Sequence, residues 1–143
     1  YINYGACPLN GGNQPYSQRN LLRKIISDAD SCIALPHPGV TLRYGHDTMV
    51  MPLTCLMDLD EMGMQVSDLE QLAYKGWNNY RIFPMACNIQ FVFYHKKGSK
   101  DILVKVLRNE NEATLPIKTD IAPYYHWKDV RQYYLDKLNK FTE

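Results

Sequence analysis

Apolar and polar positions along the chain fall into a few distinct rhythms. Leu21, Leu22, Ile25, Ile26, Ala29, Cys32 and Ile33 recur at helical spacing, with Arg23, Lys24, Asp28 and Asp30 opposite. This predicts a helix from about Tyr16 to Ala34, stopped by Pro36-His37-Pro38-Gly39. Val40 to His46 carries β-branched and aromatic residues with little charge, so it reads as a short strand buried on both faces. Arg43 is the exception, its long stem free to lie along apolar surface. Asp47 or Thr48 then caps a second helix. Met49, Leu53, Leu56 and Met57 form its inner face, Pro52 sits early in it, and Asp58, Asp60 and Gly63 end it. Ser67-Asp68-Leu69-Glu70 is a capping-box pattern for a short helix through Leu72 and Ala73, closed by Gly76. Asn88 to His95 alternates Ile89, Phe91 and Phe93 against Gln90, Val92 and Tyr94. With Ile102 to Arg108 it makes a hairpin across the Lys96–Lys100 turn. Asn109 to Glu112 and Leu115-Pro116 form an exit loop. Trp127, Val130, Tyr134, Leu138 and Phe141 mark the inner face of a last helix.

About four helices and three strands, alternating in order, imply an α/β fold: a layered sheet flanked by helices. Three strands are few for that many helices, since a mean sheet has roughly five or six. Strands are therefore expected outside this chain. Residues 1–16, rich in Gly, Pro and Asn, read as a loop or a connection from an upstream part.

Composition narrows the function classes. At 143 residues and 45% apolar, the chain is one domain's worth or a large piece of one. Sixteen basic against fifteen acidic residues leave no basic excess, which argues against a nucleic-acid surface despite eleven tyrosines. No apolar run approaches the roughly 20 residues of a membrane span. The chain opens Tyr-Ile-Asn-Tyr-Gly, without a signal-peptide pattern or an initiator Met, as at a mature terminus or the edge of a longer parent. Cys7, Cys32, Cys55 and Cys87 form no CxxC pair and read as buried free thiols, with one or two disulfides as the alternative. No zinc-ligand spacing, P-loop, GxGxxG or Gly-x-Ser-x-Gly occurs.

The chemistry gathers where the strand-like run meets the second helix, at Gly45-His46-Asp47-Thr48. Ligands of open α/β sheets bind beyond the carboxyl ends of strands, and helix N-termini attract phosphate. There, His46 can bind a phosphate oxygen. Asp47, protonated under partial burial beside an anion, can donate to a leaving alkoxide. Thr48 adds a hydroxyl and a helix N–H, and Arg43 a forked donor. The bland alternative makes Asp47 a cap and His46 a satisfied buried side chain. His37, His95 and His126, the Lys96, Lys97 and Lys100 turn and the Asn109–Glu112 loop are read as structural.

These residues carry a resemblance. Gly45-His46-Asp47-Thr48 opening a helix, then Phe83-Pro84-Met85-Ala86-Cys87-Asn88-Ile89 leading into an aromatic strand, a hairpin, Leu115-Pro116 and an aromatic last helix, resemble the carboxyl-terminal portion of the histidine acid phosphatases. The match covers roughly residues 20 to 140 and points to the branch holding phytases and multiple inositol polyphosphate phosphatases. The resemblance implies residues 1–143 to be the carboxyl-terminal part of a single phosphoglycerate mutase-like domain. It implies phosphomonoester hydrolysis through a phosphohistidine, with Asp47 as general acid and His46 on the phosphate. It implies no cofactor and no metal, a phosphorylated small molecule (inositol phosphates among the candidates) as substrate, and a periplasmic or secreted location. The family's nucleophile lies in an Arg-His-Gly-x-Arg-x-Pro loop that this sequence lacks. The chain is thus expected to be inactive alone and to need the amino-terminal half of its parent. The competing readings are a non-catalytic α/β binding module and a metal-dependent HD-type phosphohydrolase. The latter places its His-Asp pair on helices rather than after a strand.

Overall fold

A computed structural model of the chain describes residues 1–141. Its helices are α1 (Arg19–Ile33), α2 (Asp47–Met57), the single-turn α3 (Asn79–Ile82) and α4 (Trp127–Lys140). Its strands are β1 (Ile89–His95), β2 (Ile102–Arg108), β3 (Asn111–Glu112) and β4 (Tyr125–His126). All pairings are antiparallel: β2 pairs with β1, with β3 and with β4. The α/β class is as expected, with helices packed on a sheet.

The hairpin forms in the expected place. Phe91 faces Val106 and Phe93 faces Val104 across it. Gly98, at φ 81°, makes the turn that a side chain would strain. Ile89, Phe91 and Phe93 point at the main core, built from Leu22, Ile26, Leu53, Leu56, Val104, Val106, Val130 and Leu138. Thus α1, α2 and α4 pack on the hairpin's apolar face. Asp30 on α1 ties it to α4, accepting from Trp127 Nε1 at 3.0 Å and Arg131 Nε at 2.8 Å.

Helix α2 is the central element. Met51 to Met57 are all buried, so the helix is enclosed on every side from its second turn onward rather than along one inner face. Leu53, Leu56 and Met57 meet the main core. Met51 and Cys55 meet a second cluster of Met62, Trp77 and Ile82. Met49, expected inside, is exposed, because the first turn projects beyond both cores. The far end is fixed by α4: Tyr134 Oη donates to Met57 O at 2.7 Å and Lys137 Nζ to Leu56 O at 2.6 Å. Asp58 leaves the helix left-handed, and its carboxylate accepts from Gly63 N at 2.7 Å. A Cβ on Gly63 would stand 2.7 Å from Cys55 O, so this approach needs glycine.

Several expectations are corrected. Residues 40–46 form no strand. Val40, Leu42 and Tyr44 are 79%, 67% and 92% exposed, and no backbone–backbone hydrogen bond involves residues 39–45 among the described residues. Strand propensity needs a neighbour to take alternate N–H and C=O groups, and the described sheet runs elsewhere. The first helix starts at Arg19, after a tight turn over Gln14–Gln18. His46, not Asp47 or Thr48, is the extended residue before α2. Asp68 rather than Ser67 caps the next segment, accepting from Glu70 N, and only one tight turn (Leu69–Gln71) forms there. The exit loop contains β3. Phe141 lies just past α4, stacked on Tyr16 with ring centroids 4.1 Å apart. Residues 1–16 are loop broken by tight 3-10 turns at Pro8–Asn10 and from Gln14 onward, and they are docked: Cys7 and Pro15 are buried, and Tyr1 packs edge-on against Trp77.

Candidate active site

His46 closes the extended segment with ψ 160°, and Asp47 opens α2. Sequence explains this corner locally. The carbonyl of His46 accepts from Met49 N and Val50 N, which starts the helix. Asp47 folds its carboxylate onto Thr48 N at 2.9 Å, satisfying one of the free first-turn donors. An acidic residue in this first turn also suits the positive end of the helix dipole.

His46, Asp47 and Thr48 are thus brought together, and all three are exposed. The partial burial expected around Asp47 is not present at this corner. Arg43 stands just upstream, but its guanidinium is ion-paired with Asp28 of α1. Asp28 also holds Lys24 at 2.8 Å, and these cations, Lys24 first, keep its carboxyl below the usual range.

One neighbour of Asp47 escaped sequence reasoning. Cys87 is half-buried, and burial, with the Asp47 carboxylate, pushes its thiol up. It ends a tight turn in which Cys87 N donates to Pro84 O at 3.0 Å and Ala86 adopts φ 60°. Asn109 anchors that turn: its Oδ1 accepts from Asn88 N, and its amide donates to Arg81 O and Ile82 O. The available signal was the Phe83–Ile89 block itself, which returns the chain to α2 before β1 begins at Ile89.

The other sequence candidates lie elsewhere. His37 is exposed, with Nδ1 3.0 Å from Pro38 O, and His95 is exposed at the end of β1. Among the described residues, no three His, Cys, Asp or Glu side chains are grouped to hold a metal ion. All four cysteines are free, and burial pushes the Cys55 thiol up to about 12. No described helix is long and apolar enough to cross a membrane.

Chemically, the corner offers an imidazole, a carboxylate, a hydroxyl and first-turn N–H groups on one open edge of a rigidly buried helix. Such a set can grip an anion and deliver a proton. It contains no activated nucleophile.

No family model matches the chain. Multiple inositol polyphosphate phosphatase 1 of Gallus gallus is 27% identical over 122 residues, covering 82% of this chain and 27% of that protein. The solved multiple inositol polyphosphate phosphatase of Bifidobacterium longum in complex with phosphate superposes with a TM-score of 0.76 at 23% identity. That match covers 93% of this chain and 29% of the other. Its complex with inositol hexasulfate matches with a TM-score of 0.70 at 22% identity, over 85% and 25%. The chain therefore spans about a quarter of the length of these relatives. Sequence and fold together show the resemblance: this chain is similar to the histidine acid phosphatases of the multiple inositol polyphosphate phosphatase-like branch.

Proposed function

We propose that this chain is the carboxyl-terminal part of a histidine phosphatase domain and supplies its proton-donating corner. The observation that carries the reading is the placement of His46, Asp47 and Thr48 on the open first turn of α2, in a chain similar over 82% of its length to an inositol polyphosphate phosphatase. In the intact parent, a histidine outside this chain attacks phosphorus and forms a phosphohistidine. Asp47 gives its proton to the departing alkoxide oxygen, and water then releases phosphate. His46 and Thr48 hold phosphate oxygens. Arg43 joins them by exchanging Asp28 for the more highly charged substrate. The chemistry needs no metal or cofactor. Substrates are phosphorylated small molecules such as inositol phosphates, and the parent is secreted or periplasmic.

The proton-donor role has a specific signature. With an alkyl phosphate, Asp47→Asn in the parent lowers kcat by about 10²–10⁴-fold, the usual contribution of general acid catalysis. With para-nitrophenyl phosphate, whose leaving group departs without a proton, the loss is much smaller. His46→Ala weakens phosphate binding with both substrates. The isolated chain releases no phosphate from inositol hexakisphosphate, and chelators leave the parent's rate unchanged. Turnover by the isolated chain that disappears in Asp47→Asn would sink the division of labour.

The competing reading, a binding module in which Asp47 only starts a helix, draws on its bond to Thr48 N. It predicts equal rates for parent and Asp47→Asn with every substrate.

A further inference from the structure

His126 has a bonding pattern that a neutral imidazole cannot satisfy. Its Nδ1 lies 2.8 Å from Asp101 Oδ2, and its Nε2 lies 2.8 Å from Asp120 Oδ1. Neutral imidazole carries one N–H, so one nitrogen would turn its lone pair on a carboxylate oxygen. Only the imidazolium donates at both ends. The three residues come from three segments. Asp101 stands at the start of β2, and Asp120 in the loop of residues 116–124. His126 ends β4 and is the residue before α4. A cation at that position is disfavoured by the helix dipole, so the two carboxylates must outweigh it.

We propose that Asp101, His126 and Asp120 form a pH-released staple, closed when the ring is charged, that holds the loop of residues 116–124 against the turn end of the hairpin.

The surroundings support it. The His126 side chain is 25% exposed, and its two ring nitrogens are both taken up by carboxylates. Among the described residues, no other charged group pairs with it. Lys128 and Asp129, the charged neighbours on the first turn of α4, are exposed, as is Lys100 beside Asp101. The hydrogen bonds that the ring donates to Asp120 and then Asp101 hold its pKa above the ordinary 6.5, and His126 in return holds Asp120 below the usual carboxylate range. A base raised in this way stabilises the closed state while charged. The contribution is complete below the ordinary value and disappears as pH climbs through the raised one. Within the loop, Thr119 Oγ1 donates to Tyr124 O at 2.6 Å and Tyr124 N to Ile121 O at 2.9 Å, while Ile117 packs on the core and Tyr124 meets Tyr94 of β1 edge-on with Lys105 Nζ 5.6 Å from its ring. Release of His126 therefore loosens the middle of the loop around Asp120, and these contacts keep its two ends in place. Leu115 N to Tyr125 Oη at 3.0 Å remains as its hinge on the core side.

Ring-nitrogen NMR on the ¹⁵N-labelled chain tests this, without reference to any phosphatase activity. The expected result is a His126 midpoint above the ordinary 6.5, with both ring nitrogens protonated below it. Asp101→Asn and Asp120→Asn should each lower its midpoint. Backbone hydrogen exchange in residues 116–124, corrected for intrinsic rate, should rise between about pH 6 and pH 9, by up to about tenfold per unit of raised pKa. In His126→Gln that exchange should be fast at both pH values. A wild-type ring that titrates at the ordinary value overturns the staple. So does a raised midpoint that neither aspartate variant moves, or exchange in the loop that does not respond to pH.

Discussion

Ala86 sits left-handed, at φ 60°, in the turn that brings Cys87 within electrostatic range of Asp47. That conformation costs an L-residue roughly 1–2 kcal/mol, and glycine escapes most of it. Ala86→Gly should therefore raise stability by about 1 kcal/mol in urea unfolding. A second test reads the charge effect of Asp47 on Cys87. Burial first, and then the Asp47 charge, hold the Cys87 thiol up, so Asp47→Asn should speed alkylation of Cys87 only modestly, by less than about fivefold. Cys55, buried and raised to about 12, should resist alkylation until the chain unfolds, and mass mapping separates the two. His46, Asp47 and Thr48 can be picked out as a candidate from sequence because they are contiguous, and the structure places them on the first turn of α2. Cys87 and Asp28 were not legible as the surroundings of these residues. Which side chains meet Asp47 and Arg43 depends on packing between α2, α1 and the turn before β1, and no spacing rule encodes that.

At the scale of elements, α2 is held from the end opposite His46 and Asp47. Tyr134 is 1% exposed, and its hydroxyl satisfies the last carbonyl of the helix. Tyr134→Phe leaves that buried acceptor unpaired and should cost about 1–3 kcal/mol in thermal or urea unfolding. Leu138→Ala, one turn further along α4, removes core packing and should cost about 2–5 kcal/mol. The hairpin and α4 were readable because one face of each is buried and the other wet, so the apolar period survives in the sequence. Helix α2 was only half read. A helix buried all round has no polar face to betray which side is inner, and the second cluster against Met51 and Cys55 stayed invisible. The segment of residues 40–46 was misread for a different reason. Its residues suit a strand, but a strand is a property of two segments, and sequence shows only one.

For the whole molecule, that segment is the weak point. It carries three large apolar side chains in water and, among the described residues, makes no backbone ladder and is tethered by the ion pair of Arg43 with Asp28. An exposed pair of this kind contributes little, typically about 0–1 kcal/mol. The backbone around Arg43 should therefore enter a protease site without unfolding anything else, whereas the bonds inside α1, α2, α4 and the strands require local or global opening first. Brief trypsin treatment of the native chain should cut after Arg43 ahead of any site within those elements. Asp28→Asn should hasten that cut while leaving thermal stability within about 0.5 kcal/mol. If the longer parent supplies strands on either side of residues 40–46, as the proposed domain requires, the same bond should resist trypsin there, because paired and buried backbone cannot adopt the extended, accessible form that cleavage needs. Equal cleavage rates in chain and parent would mean that this segment is no strand in either. The corner at His46 and Asp47 would then stand on a loose arm instead of the edge of a sheet.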